Sequence, residues 1–127
     1  MTIRLSLSIL AAAALAAGCA GMGMDSGPAR TVDGALVGGN GMTLYTFDRD
    51  AAGTGKSVCN GQCASNWPPL AVGYGDGAHG EWSVVTRDDG SRQWAYKGKP
   101  LYYFAKDQKP GDRTGDNVIN AWHVARP

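Results

Sequence analysis

Little in this chain of 127 residues is suited to reaction chemistry. It has three cysteines, two histidines and one glutamate, Glu81. No catalytic-triad constellation, phosphate-cradling glycine loop or C-x-x-C-H stretch is present. Hydrolase, kinase, dinucleotide and covalent-haem readings therefore have no foothold. Neither sign of charge is in excess, with 12 Lys and Arg against 11 Asp and Glu. The balance gives no argument for nucleic acid as a partner, and no like-charge block marks a disordered tail. No apolar run reaches the roughly 20 residues that a membrane-spanning helix needs. Helix-forming stretches rich in Leu, Ala or Glu are also scarce beyond the N-terminus, which speaks against a helical architecture.

What is present begins with an export segment. Met1-Thr2-Ile3-Arg4 is a short positive region, and the apolar stretch from Leu5 to Ala17 leads to Gly18-Cys19. These are the proportions of a secretory signal, so residues 1–18 stand outside the fold argument. Small residues before Cys19 resemble a bacterial lipobox, in which the cysteine is acylated and becomes the first mature residue. Ala16 stands where such boxes usually carry Leu, and Leu15 lies one position further back. An ordinary cleavable signal with an incidental cysteine is the alternative. Residues 19–31 are small, polar and Gly-rich, and read as a flexible tether. Ala20 after the cysteine resembles the outer-membrane sorting pattern of Gram-negative lipoproteins. The expectation is an exported protein anchored by lipid, in the outer membrane facing the periplasm or the cell surface if the source is Gram-negative.

The remainder, residues 32–127, is the size of one domain with a modest stability margin. Its organising feature is a repeated phrase. Leu44-Tyr45-Thr46-Phe47-Asp48-Arg49-Asp50 returns as Leu101-Tyr102-Tyr103-Phe104-Ala105-Lys106-Asp107, and Trp67 and Trp122 follow the two copies. The pattern L-Y-x-F-x-x-D marks two degenerate repeats, at about 41–71 and 98–125. Short apolar runs broken by Asn40-Gly41, Asp89-Gly90 and Lys97-Gly98-Lys99-Pro100 read as strands and turns. Strands are expected at Val32–Val37, Met42–Asp48, Trp82–Thr86, Gln93–Tyr96, Leu101–Lys106 and Val118–Val124. One helical turn fits before Pro68-Pro69. The fold class is mainly β: a small antiparallel domain whose two halves share one core. Alternation places Leu44 and Thr46 on one face and Tyr45 and Phe47 on the other.

At these residues the chain resembles the bacterial envelope lipoproteins that carry a Y-x-(F/W/Y)-x-x-D motif, the secreted repeat of unknown function. Tyr45, Phe47 and Asp50 match the motif in the first copy; Tyr102, Phe104 and Asp107 match it in the second. Cys59, Cys63, Trp67 and Pro68 fit the first repeat, and Pro110-Gly111-Asp112 with Trp122 fits the second. The resemblance implies secretion or lipid anchoring and no established activity.

Four groups of residues could carry chemistry. The motif Tyr and Phe are expected to pack the core, with Asp50 and Asp107 closing the turns that follow; two Tyr/Asp pairs lining a shared groove is the alternative. With Cys19 acylated, Cys59 and Cys63 are an even pair in an oxidising compartment and read as a disulfide. Their spacing also lets two thiolates reach one copper or zinc, with His79, His123, Met22, Met24 or Met42 as helpers. Asp107, Asp112, Asp116 and Asn117 in a Gly-containing loop could bind calcium, although their order is not that of an EF-hand. The tryptophans are expected in the core; if exposed, Trp67 and Trp122 would form an aromatic platform for a glycan or a quinone-like ring. No cofactor is expected. The preferred function is a non-enzymatic binding or interaction module, with an envelope protein or glycan as partner. The alternative is a metal-binding or redox accessory protein.

Overall fold

The computed structural model describes residues 27–127. Seven short strands form antiparallel sheets, in the order β1 (Ala29–Val32), β2 (Ala35–Gly38), β3 (Tyr45–Phe47), β4 (Trp82–Thr86), β5 (Arg92–Tyr96), β6 (Lys99–Pro100) and β7 (Trp122–Val124). One short helix, α1 (Gln62–Asn66), lies between β3 and β4. β1 pairs with β2, β3 with β7, and β5 lies between β4 and β6.

The boundaries differ from the sequence reading where local turn chemistry intervenes. Val32–Val37 is two strands, because Asp33 and Gly34 both adopt positive φ and reverse the chain. The first strand consequently begins at Ala29, within the stretch read as tether. The expected final strand is shortened to β7. Asn117, Ile119 and Asn120 have positive φ, so Val118–Asn120 is a tight 3-10 turn. The second motif is paired at Tyr102 but leaves the ladder after it, and Tyr103 and Ala105 donate instead to Pro68 and Asn66.

The halves are joined by exchange of strands. In one half, Leu36 N donates to Ala125 O at 2.9 Å, Leu44 N to Leu36 O at 2.9 Å and Ala125 N to Leu44 O at 2.8 Å. In the other, Trp94 N donates to Leu70 O at 2.8 Å, Leu101 N to Trp94 O at 3.0 Å and Leu70 N to Leu101 O at 2.9 Å. The same three bonds therefore recur, with each motif strand held by the segment that follows the other repeat's tryptophan. Between them the backbones of Tyr45 and Tyr102 exchange two hydrogen bonds of 2.7 and 3.0 Å, marking an approximate two-fold axis.

Strand alternation sorts the apolar side chains into two clusters. Leu44 and Leu101 join Leu36, Leu70, Trp94 and Ala125 on one side. Tyr45, Phe47, Trp67, Tyr102, Trp122 and Val124 pack on the other, with Ala35, Cys59 and Ala121. A domain this small has little surface to bury, so large rings supply much of the core.

Candidate functional site

The motif residues form an interior lock. Tyr45 of the first repeat donates its hydroxyl to Asp107 Oδ2 of the second at 2.6 Å, and Tyr102 of the second donates to Asp50 Oδ2 of the first at 2.5 Å. All four residues are buried. Each aspartate also holds its own loop: Asp50 Oδ1 accepts from Val58 N at 2.8 Å, and Asp107 Oδ1 accepts from Thr114 N at 3.0 Å. One carboxylate thus closes a loop with one oxygen and grips the opposite repeat with the other. The motif spacing makes this geometry: Tyr points inward from the strand, and Asp five residues later reaches back from the loop.

The rings repeat the exchange. Phe47 stacks on Trp122 at 4.1 Å between centroids, Trp122 on Trp67 at 3.8 Å, and Trp67 on Phe104 at 4.1 Å. Along this column the rings alternate between repeats. Trp67 and Trp122 are only 5% and 1% exposed and are covered on both faces, so neither is a platform for a glycan. Backbone fits against the column at Gly115, where an added Cβ would stand 2.8 Å from the Trp67 ring and 2.9 Å from Tyr45.

The two locks are not equivalent. Around Asp50 the hydrogen bonds continue from Tyr102 to Ser57 Oγ at 2.6 Å and on to the buried Arg87. Arg87 Nη1 donates to Ser57 Oγ at 2.9 Å and to Gln93 Oε1 at 2.8 Å, while Nη2 donates to Cys59 O at 2.5 Å. Gln93 Nε2 donates to Leu101 O at 2.8 Å. Among the described residues no buried side-chain nitrogen or oxygen lacks a partner. The sequence offered no signal for Arg87. An arginine opening an Arg-Asp-Asp-Gly turn reads as solvated, and only the fold folds it back beneath the cysteine loop.

Burial raises the Asp50 carboxyl above its ordinary value of 3.8, against the opposing hydrogen bonds of Tyr102 and Val58 and the Arg87 charge. The native state therefore binds this proton more readily than the unfolded chain does. Asp50's contribution to stability is fully present below the unfolded value and is lost as pH rises through the native one. Asp50→Asn removes that dependence. The melting temperature of the variant relative to wild type is expected to increase with pH upward from about 4. A difference that stays flat across pH 4–8 by calorimetry would contradict the sign. Burial also raises the Tyr45 and Tyr102 phenols, so both stay protonated donors.

The remaining sequence candidates are dispersed. Cys59 and Cys63 are joined by a disulfide, so these sulfurs are not free thiolates. His79 Nδ1 lies 3.0 Å from Gly77 O, and His123 Nε2 lies 2.8 Å from Asp48 Oδ2. Asp107 faces inward, Asp112 caps Gln108 and Lys109, and Asp116 accepts from Val124 N. Asn117 takes a left-handed turn position. These groups do not converge on one point, and the described residues contain no group of three or more His, Cys, Asp or Glu placed to hold a metal ion. Met42 follows the Gly41 turn; Cys19, Met22 and Met24 lie outside the described residues.

The surface retains a groove of about 420 Å³ between the β3–β7 pair and the β5–β6 turn. Its floor includes Leu36, Leu101, Val124 and Ala125, while Lys97, Lys99 and Arg126 stand on its rim. Asp48 is the one carboxylate lining it and is paired with His123. No helix of the described residues is long and apolar enough to cross a membrane.

Two stretches, residues 28–71 and 83–126, match a family model described as a secreted repeat of unknown function. Each match starts at a hairpin, β1–β2 or β4–β5, and extends past the tryptophan, so the repeat unit includes the hairpin before the motif. No curated protein and no solved structure matches the chain.

Proposed function

Because this chain belongs to the family of secreted repeats of unknown function, we propose that it is a non-enzymatic binding module of the cell envelope, held at a membrane by lipid on Cys19. The supporting observation is the inward direction of the motif. Tyr45, Asp50, Tyr102 and Asp107 are spent on each other and on their own loops, as are the rings of the column. What the repeat builds is a rigid scaffold, and its exposed groove and loops are left for recognition. The lipid reading rests on Gly18-Cys19 after the apolar stretch. Acyl chains add about 0.8 kcal/mol per buried methylene, enough in combination to hold a small domain at a bilayer.

Cys19→Ser should move the protein from the membrane to the soluble fraction and remove the acyl mass from its spectrum. Retention of both would refute the anchor. For the module itself, a photoreactive residue at Lys99 on the groove rim should capture a discrete envelope protein or glycan in intact cells. The same probe at the fully exposed Tyr74, outside the groove, should not. Equal capture from both positions would remove the groove from the reading. Copper or zinc in a native mass spectrum of protein taken from its own membrane would replace the module with a metal-binding or redox accessory role.

A further inference from the structure

Lys97 occupies an unusual position. It and Gly98 form the two-residue turn between β5 and β6, with φ of 50° and 79°. Such turns favour Asn or Asp before Gly, because a longer side chain at left-handed φ costs about 1 kcal/mol or more. Gly98 is fixed by a close approach: a Cβ there would lie 2.8 Å from Gly53 N, and Gly53 N donates to Gly98 O at 2.9 Å. The turn is therefore rigid and displays a lysine where local geometry prefers a short side chain. That ammonium lies 5.4 Å from the centroid of the Tyr96 ring at the groove's edge.

Its neighbours share the same sign. Lys99 and Arg126 stand on the same rim, and among the described residues none of the three cations has a carboxylate partner. Arg126 makes one hydrogen bond, to Gly34 O at 3.2 Å. The larger cleft, about 660 Å³, also carries arginines, but Asp33 lies in it and Arg113 is already bonded to the carbonyls of Val32 and Asp33. In the groove the carboxylate, Asp48, is taken by His123, which leaves the lysines of the rim without an ion-pair partner among the described residues. A volume of about 420 Å³ is within the range of small-molecule pockets.

We propose that the groove binds a small amphiphilic anion, with its acidic head between Lys97, Lys99 and Arg126 and its apolar body along the half-buried Tyr96 ring. This rests on the binding-module reading and names a ligand class for its groove. The two cationic side chains of the turn act as point charges, and Arg126 adds a planar fork. Because the rim is exposed, the attraction is screened by salt and the apolar contact must supply the rest.

The test is calorimetric titration of the Cys19→Ser protein, free of detergent, with decanoate, decanol and inorganic phosphate. Decanoate is expected to bind saturably at one site, weakening several-fold between 50 and 300 mM salt, on the order expected for screened surface charges. Decanol and phosphate are expected to bind at least tenfold more weakly. Lys97→Asn with Lys99→Gln should weaken decanoate at least tenfold while leaving melting temperature unchanged or higher, since Asn suits the turn. Decanol binding as tightly as decanoate would reduce the site to an apolar hollow, and phosphate doing so would reduce it to a charge patch; either overturns the proposal. Absence of decanoate binding overturns it too. In that event, a macromolecule captured from Lys99 but not Tyr74 would leave the module reading standing.

Discussion

Trp122→Ala is expected to destabilise the domain by about 3–5 kcal/mol, the cost of truncating a buried Trp. For a domain near 100 residues this lowers the melting temperature by roughly 15–30 °C. Trp122 is 1% exposed, stacks between Phe47 and Trp67, and meets Tyr102 edge-on. Its loss opens the column at its centre and withdraws the ring that joins the two repeats. Trp122→Phe keeps an aromatic face in the stack and should cost less than half as much. Trp67→Ala should resemble Trp122→Ala, and the double variant should fall short of the sum because the two rings touch. Additive losses in denaturant titrations would show that the column is not one unit. A loss below about 1 kcal/mol for Trp122→Ala would place the core elsewhere.

Arg87→Met is expected to cost a similar amount, about 3–5 kcal/mol, through a different mechanism. The guanidinium is 5% exposed and satisfies Ser57, Gln93 and the Cys59 carbonyl at once, while its charge opposes the desolvation of Asp50. Methionine fills much of the volume but leaves the Gln93 and Cys59 acceptors unpaired and withdraws a positive charge that favours ionised Asp50. Lysine should not rescue the loss, because one ammonium cannot replace a two-nitrogen fork. Combining Arg87→Met with Asp50→Asn should recover part of it, since the uncompensated charge is then absent. Chemical denaturation of the four proteins forms the cycle. A double variant at least as unstable as the sum would show that Arg87 acts as packing alone.

These two results would separate the shared part of the repeats from the part peculiar to the first. The Tyr–Asp exchange and the ring column occur in both halves. The arginine lies only beneath the Asp50 lock, where the disulfide loop supplies Cys59 O. Around Asp107 the corresponding space is closed by Gly115 N, which donates to the Tyr45 hydroxyl at 3.3 Å, and by Thr114. A loop with a small backbone approach needs no buried cation. The loop after Asp50 is exposed on both sides of Ser57, at Lys56 and Val58, and is supported from beneath by Arg87 at the turn after β4.

Much of the architecture was legible before any coordinates. Strand periodicity puts Leu44 and Tyr45 on opposite faces, and they belong to different clusters. Turn chemistry marked Asp89-Gly90 and the bend after Tyr96. The short helix before Pro68-Pro69 follows from residues that stop a helix. Two turns depart from the expected strands, for different reasons. Ile119 is β-branched at φ 45°, and no propensity predicts a turn there. Asp33-Gly34 is a turn pair that the apolar residues on either side disguised as one strand.

The sequence by itself determined the class, the two repeats and the identity of the side chains that hold them, because periodicity and spacing are local properties of a chain. Only the tertiary structure decided that each Tyr grips the other repeat's Asp, that the two tryptophans are sealed against each other, and that Arg87 lies within. Those partners are 52 and 62 residues apart for the Tyr–Asp pairs. Nothing along the chain specifies which of two similar halves a side chain will meet. That choice is made when the strands exchange, since only then does one core bury both sets of rings and leave every buried side-chain nitrogen and oxygen of the described residues paired.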